Sequence, residues 1–233
     1  MIEIECSKFN GKIQAPPSKS HAIRYIILSA LIEGESLIEN TGKNEDVMDA
    51  INILKSSYIN YREEGDKLLV NSNGRLNFKK IYVKGSATVL RIALAIAAGF
   101  PGKKEIYMGE TLRKRPVEEE IKSLEDSDLK ITKHDDKIVV DGMVSKRDFE
   151  VEGKISSQFI TALMYLSPLI RDDLTINIKN GLVSKTYLHM TVNVFSDLGM
   201  GVKIDENTIE IKYREIKPFR KRIPGDFPLS SYF

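Results

Sequence analysis

The sequence contains a single cysteine, Cys6, so no disulfide can form within the chain. Histidine is scarce as well: His21, His134 and His189 stand apart, without the spacing of a metal site. No metal and no other cofactor is implied. No apolar stretch approaches the ~20 residues of a membrane span, and the opening MIEIECSKFN has no signal-peptide core. A cytoplasmic location with no membrane partner is the default expectation. Neither sign of charge dominates, with 35 Lys and Arg against 33 Asp and Glu. Bulk charge therefore gives no pull toward nucleic acid, and an anion site must be built by local placement. Also missing are a Walker loop, a dinucleotide glycine fingerprint, a Gly-x-Ser-x-Gly elbow and a Cys-x-x-Cys pair.

What is present is a regular alternation of strands and helices. Gly11–Ala15 reads as a strand and Ser20–Ile32 as a helix, with Ile23, Ile26, Ile27, Ala30 and Leu31 at helical spacing. Ser36–Glu39 reads as a strand and Glu45–Lys55 as a second helix. Tyr58–Arg62 and Lys67–Val70 read as a hairpin around Glu64-Gly65-Asp66. The unit is β-α-β-α-β-β. It recurs as the strand Lys80–Val83, helix Thr88–Ala98, strand Glu105–Met108, helix Pro116–Glu125 and the pair Lys130–Lys133 and Lys137–Val140. It recurs again as Asp148–Val151, Ser157–Ile170, Leu174–Ile178, Thr186–Leu198, Val202–Asp205 and Thr208–Lys212. Ser20, Thr88 and Ser157 open the first helix of each unit at separations of 68 and 69 residues. Glu45, Arg115 and Lys185, near the starts of the second helices, are spaced by 70 and 70. A period of this size is the mark of a structural repeat.

Repeated units packed around an axis would point their equivalent helix starts the same way. Each start offers free N–H groups and partial positive charge, so converging starts make a pole for an anion. Lys19, Ser20, Thr88, Arg115, Ser156, Ser157, Ser184 and Lys185 cluster at those starts. Taken singly, each hydroxyl reads as a plain N-cap and each cation as a solvated surface charge. Arg91, set among Val89, Leu90, Ile92, Ala93 and Leu94, reads as structural, with a buried carboxylate or backbone partner.

Four segments then carry a family resemblance. Pro17-Ser18-Lys19-Ser20-His21-Ala22-Ile23-Arg24 resembles the Ser-Lys-Ser-x-x-x-Arg signature of 5-enolpyruvylshikimate-3-phosphate (EPSP) synthases. Gly85-Ser86-Ala87-Thr88-Val89-Leu90-Arg91 is similar to their Asn-x-Gly-Thr-x-x-Arg segment, and Leu112-Arg113-Lys114-Arg115-Pro116 to their Arg-Pro helix start. Ser156-Ser157-Gln158-Phe159 and Leu182-Val183-Ser184-Lys185-Thr186-Tyr187 resemble their Ser-Ser-Gln-Phe and Leu-Val-Ser-Lys-Pro-Tyr motifs. The resemblance implies an α/β fold of three βαβαββ repeats about a pseudo-threefold axis, an inside-out α/β barrel. It implies enolpyruvyl transfer from phosphoenolpyruvate to the 5-hydroxyl of shikimate 3-phosphate, in the pathway to the aromatic amino acids. Lys19, Ser20, Arg24, Ser156, Ser157, Gln158, Ser184 and Tyr187 are then the expected contacts of shikimate 3-phosphate. Lys19, Ala87, Thr88, Arg115 and Gln158 are those of phosphoenolpyruvate, with Lys19 also the catalytic candidate.

The match has departures. Ala87 stands at a usual glycine, Gly85 at a usual asparagine and Thr186 at a usual proline. The family also needs about twice this length. Residues 1–12 are expected to belong to a second, mostly absent domain, and residues 222–233 to lead into it, with both ends loosely held. The shikimate-phosphate domain is expected over 13–221, as repeats at about 13–74, 75–145 and 146–215. On this reading the chain lacks activity alone and its partner is the missing C-terminal domain. Two alternatives stay open: a stand-alone module that binds a phosphorylated ligand, and an enolpyruvyl transferase acting on a nucleotide sugar. The second is disfavoured, because that family carries a cysteine near the position of Arg115.

Overall fold

The computed structural model describes residues 12, 14–154, 157–181 and 185–230. The first unit comprises α1 (Lys19–Ala30), β1 (Glu33–Glu39), α2 (Glu45–Ser56), β2 (Asn60–Glu64) and β3 (Lys67–Asn73). The second comprises β4 (Lys80–Val83), α3 (Ala87–Ala98), β5 (Lys103–Met108), α4 (Glu110–Arg113), α5 (Glu118–Leu124), β6 (Leu129–Lys133) and β7 (Lys137–Gly142). The third comprises β8 (Asp148–Glu152), α6 (Ser157–Met164), α7 (Leu166–Ile170), β9 (Leu174–Lys179), α8 (Lys185–Asp197), β10 (Gly201–Asp205) and β11 (Thr208–Lys212). The short β12 (Arg220–Arg222) and α9 (Phe227–Ser230) follow.

Each unit builds one four-stranded sheet, in the orders β12-β1-β3-β2, β4-β5-β7-β6 and β8-β9-β11-β10. In all three the outer pair is parallel and the other two pairings are antiparallel. Residues alternate between buried and exposed along β4, β5 and β8, so one face of each sheet looks inward. The inner faces close over α1, α3 and α6. From Val89 to Ala98 every residue of α3 is buried, and so is every residue of α1 from Ala22 to Ala30. Helices inside and sheets outside are what the family resemblance implies.

α2 is amphipathic, as a helix against a sheet layer must be. Val47, Ala50, Ile51, Ile53 and Leu54 are buried. Asn44 caps it by accepting the Val47 N–H at 3.0 Å, and Glu45 and Asp46 in the first turn suit the positive end.

The sheets correct the sequence reading at the first unit. The expected opening strand, Gly11–Ala15, is not strand at Lys12, Gln14 or Ala15. Its place beside β1 is filled by β12, with Leu37 opposite Arg220 and Glu39 opposite Arg222. The first repeat is thus completed from the far end of the domain. Two helices differ as well. Ser157–Ile170 divides at Tyr165, because Pro168 has no N–H to give to Met164 and its ring crowds that carbonyl. Pro116 lies outside α5, which begins at Glu118, and the single turn α4 precedes it.

One core residue works against the fold. Glu120, on α5, is fully buried, and neither carboxyl oxygen has a hydrogen-bond partner among the described residues. Burial pushes its pKa well above the ordinary 4.5, opposed by the charge of Arg91. The folded chain therefore keeps this proton where the unfolded chain has lost it, so stability falls as pH rises above about 4.5. Glu120→Gln is expected to gain about 1–3 kcal/mol near pH 8 and nothing near pH 4. Urea unfolding at the two pH values checks this; a gain equal at both would refute it.

Candidate active site

The helix starts do meet. One cleft of about 360 Å³ is lined by Lys19, Ser20, Ile23 and Arg24 of α1, Asp46 of α2, Gly85 to Thr88 around the start of α3, Arg115, Gln158 of α6 and Tyr187 of α8. It adjoins a larger hollow of about 1250 Å³ that shares Lys19, Ser20, Asp46 and Tyr187 and reaches Gly225, Phe227 and Leu229.

Arg24 is deeply set, only 2% exposed. It donates to Thr191 Oγ1 at 2.8 Å, to the Ser20 carbonyl at 2.7 Å and to the Tyr187 carbonyl at 3.3 Å. Thr191 donates in turn to the Tyr187 carbonyl at 3.0 Å and meets Thr161 of α6 at 3.1 Å. Burial lowers the guanidinium's pKa from its ordinary value, a cost that a bound anion would offset.

Lys19 pairs with Asp46 at 2.6 Å. The pair is partly exposed, so it contributes little to stability, but it joins α1 to α2 at residues that both line the cleft. Asp46 was not foreseen. Its signal was its place in the first turn of α2, a helix start like the others.

Arg91 anchors the opposite wall without lining it. It donates to the Ala87 carbonyl at 3.3 Å, the Pro116 carbonyl at 3.2 Å and Gln158 Oε1, and its guanidinium lies 5.0 Å from the centre of the Phe159 ring. The backbone partners foreseen from its apolar surroundings are present. Burial lowers its pKa, Glu120 opposes this and Arg115 adds to it. Arg91 thereby ties the start of α3, the turn before α5 and Gln158 into one frame.

Of the expected site residues, the cleft brings together Lys19, Ser20, Arg24, Ala87, Thr88, Arg115, Gln158 and Tyr187. Ser157 is buried at the start of α6 and does not line it. Lys185 opens α8 as an exposed residue and does not line it either. Ser156 and Ser184 lie outside the described residues. Among the described residues no His, Cys, Asp or Glu cluster could hold a metal ion, and no helix is long and apolar enough to cross a membrane.

A family model for EPSP synthase (3-phosphoshikimate 1-carboxyvinyltransferase) matches residues 5–233. The chain belongs to the EPSP synthase family. A relative from Clostridium perfringens (strain SM101 / Type A), named 3-phosphoshikimate 1-carboxyvinyltransferase, is 31% identical over all of this chain and 56% of its own length. Another of that name, from Sulfurisphaera tokodaii, is 33% identical over all of this chain and 55% of its own. The chain thus spans about half the length of the curated relatives it matches. The fold of an EPSP synthase from Acinetobacter baumannii is similar, with a TM-score of 0.78 at 16% identity, over 93% of this chain and 50% of that one.

Arg91→Met removes the donor from two carbonyls and Gln158 at once. Hydrogen bonds from a charged group contribute ~1.5–3 kcal/mol each, not additively. A loss of about 2–4 kcal/mol in unfolding free energy is expected by urea titration. A loss below about 1 kcal/mol would show that the frame does not depend on Arg91.

Proposed function

We propose that this chain is the shikimate-3-phosphate-binding half of an enzyme that transfers enolpyruvate from phosphoenolpyruvate to shikimate 3-phosphate. The observation that carries this is the meeting of Lys19, Arg24, Thr88, Arg115, Gln158 and Tyr187, from separate repeats, on one cleft. Arg24, Ser20 and Tyr187 form the wall for shikimate 3-phosphate, and the resemblance adds Ser156, Ser157 and Ser184 as further contacts of that ligand. Ala87, Thr88 and Arg115 form the wall for phosphoenolpyruvate. Lys19 and Gln158 reach both. Residues 1–12 and the segment beyond β12 belong, on this proposal, with a second domain that closes over the cleft.

The chemistry asks for such an arrangement. The 5-hydroxyl oxygen bonds to C2 of phosphoenolpyruvate while C3 takes a proton and the hydroxyl proton leaves. The tetrahedral intermediate then expels phosphate as C3 gives up a proton and the double bond re-forms. Two polyanions must be held side by side, which needs cations and N–H dipoles fixed in advance. Arginine suits the two-pronged grip on a carboxylate or phosphate, and lysine is a residue type able to pass protons. The resemblance assigns the acidic proton-handling residues to the other half of the family's length, so the chain alone is expected to bind without turnover.

Calorimetric titration with shikimate 3-phosphate tests the reading. Binding on the order of micromolar to millimolar is expected, weakened at least tenfold in Arg24→Lys, whose single ammonium cannot span the same partners. An absence of binding in the unaltered chain would refute it. Ala87 gives a second test. Its methyl lies on the cleft wall, and overpacking a snug site costs ~1–3 kcal/mol. In the complete enzyme Ala87→Gly is therefore expected to tighten phosphoenolpyruvate and to strengthen inhibition by glyphosate, the family's inhibitor, by about tenfold. Unchanged inhibition would show that the methyl does not crowd the site.

A further inference from the structure

Asp49 lies behind the cleft on α2 and is 1% exposed. Its carboxylate accepts three successive backbone N–H groups. Oδ1 takes that of Lys84 at 2.8 Å; Oδ2 takes those of Gly85 at 2.9 Å and Ser86 at 2.8 Å. A carboxylate gathering several N–H groups is a strong, charge-assisted clamp. Ser86 then caps α3, its hydroxyl accepting the Val89 N–H at 3.4 Å, and the next two residues, Ala87 and Thr88, line the cleft.

The clamped segment has little freedom elsewhere. A side chain at Gly85 would bring its Cβ to 2.3 Å from Glu45 Oε1, also on α2. A Cβ at Gly109, just past β5, would come within 1.9 Å of the Lys84 carbonyl. A side chain at position 85 would have to displace the end of Glu45, and the fixed point of the segment is a carboxylate reaching over from the neighbouring helix, 35 to 37 residues earlier in sequence.

We propose that Asp49 is a positioning residue for the phosphoenolpyruvate wall of the cleft, setting the backbone of 84–86 so that Ala87 and Thr88 meet that ligand. The proposal rests on the reading of the cleft given above. It concerns one wall only, because the shikimate-phosphate wall stands on α1 and α8, which Asp49 does not touch through these bonds. A purely structural role would weaken both ligands together or neither.

The test uses Asp49→Asn, which puts an NH2 donor where an oxygen accepted N–H groups. Backbone amide NMR signals of 84–88 are followed while the chain, saturated with shikimate 3-phosphate, is titrated with phosphoenolpyruvate. In the unaltered chain those signals are expected to shift and saturate. In Asp49→Asn the phosphoenolpyruvate affinity is expected to fall at least tenfold and shikimate 3-phosphate affinity to stay within about twofold. Asp49→Glu, which keeps both carboxylate oxygens on an arm one methylene longer, is expected to fall between and serves if Asp49→Asn does not fold. Equal losses for both ligands, or no loss for phosphoenolpyruvate, would overturn the proposal, as would no shift at 84–88 in the unaltered chain. Failure of the unaltered chain to bind shikimate 3-phosphate would instead overturn the reading of the cleft beneath it.

Discussion

The burial of α1, α3 and α6 inside a shell of three sheets is the constraint on which the rest depends. Each sheet has one apolar face and must cover something; each of these helices is apolar around most of its circumference and must be covered. Packing the three together satisfies both demands. It also leaves the helix starts as the place where buried backbone meets water. Free N–H groups cannot be left dry, so the starts gather at a common opening. The cleft follows from how the core is closed.

The same constraint explains the arginines. Arg24 and Arg91 each fold back onto the carbonyl four residues before it, Ser20 in one case and Ala87 in the other. Each then reaches into another unit or loop: Arg24 to Thr191 and the Tyr187 carbonyl on α8, Arg91 to Gln158 on α6 and the Pro116 carbonyl. In the third unit Thr161 of α6 meets Thr191, the same hydroxyl that Arg24 holds. A charge set this deep is costly unless its hydrogen bonds are made, and making them stitches the repeats together. The cations that would hold an anion and the bonds that join the units are in part the same groups.

Most of the elements were legible because their signals are local. β4 and β11 fall where the sequence placed them, α3 differs by one residue at its start and α8 by one residue at each end. The hydroxyl and basic residues at helix starts were legible too, because the repeat put them at a common period. Tyr165 and Pro116 were misread for a different reason. Proline acts on the backbone behind it and on the exact turn it occupies, and an apolar periodicity that runs straight through Ser157–Ile170 conceals the break.

Periodicity and the motifs at the helix starts were settled by the sequence alone, since each depends on residues within a turn or two of one another, and the repeat followed from their recurrence along the chain. The tertiary structure decided what depends on distant segments. β12 completes the first sheet across 183 residues, from Leu37 to Arg220. Asp49 clamps the start of α3 from a different helix, and Gln158 reaches Arg91 across 67 residues. No pattern along the chain announces such pairings. They arise because a buried strand edge, N–H group or guanidinium must find a partner, and only the packed core determines which partner lies within reach.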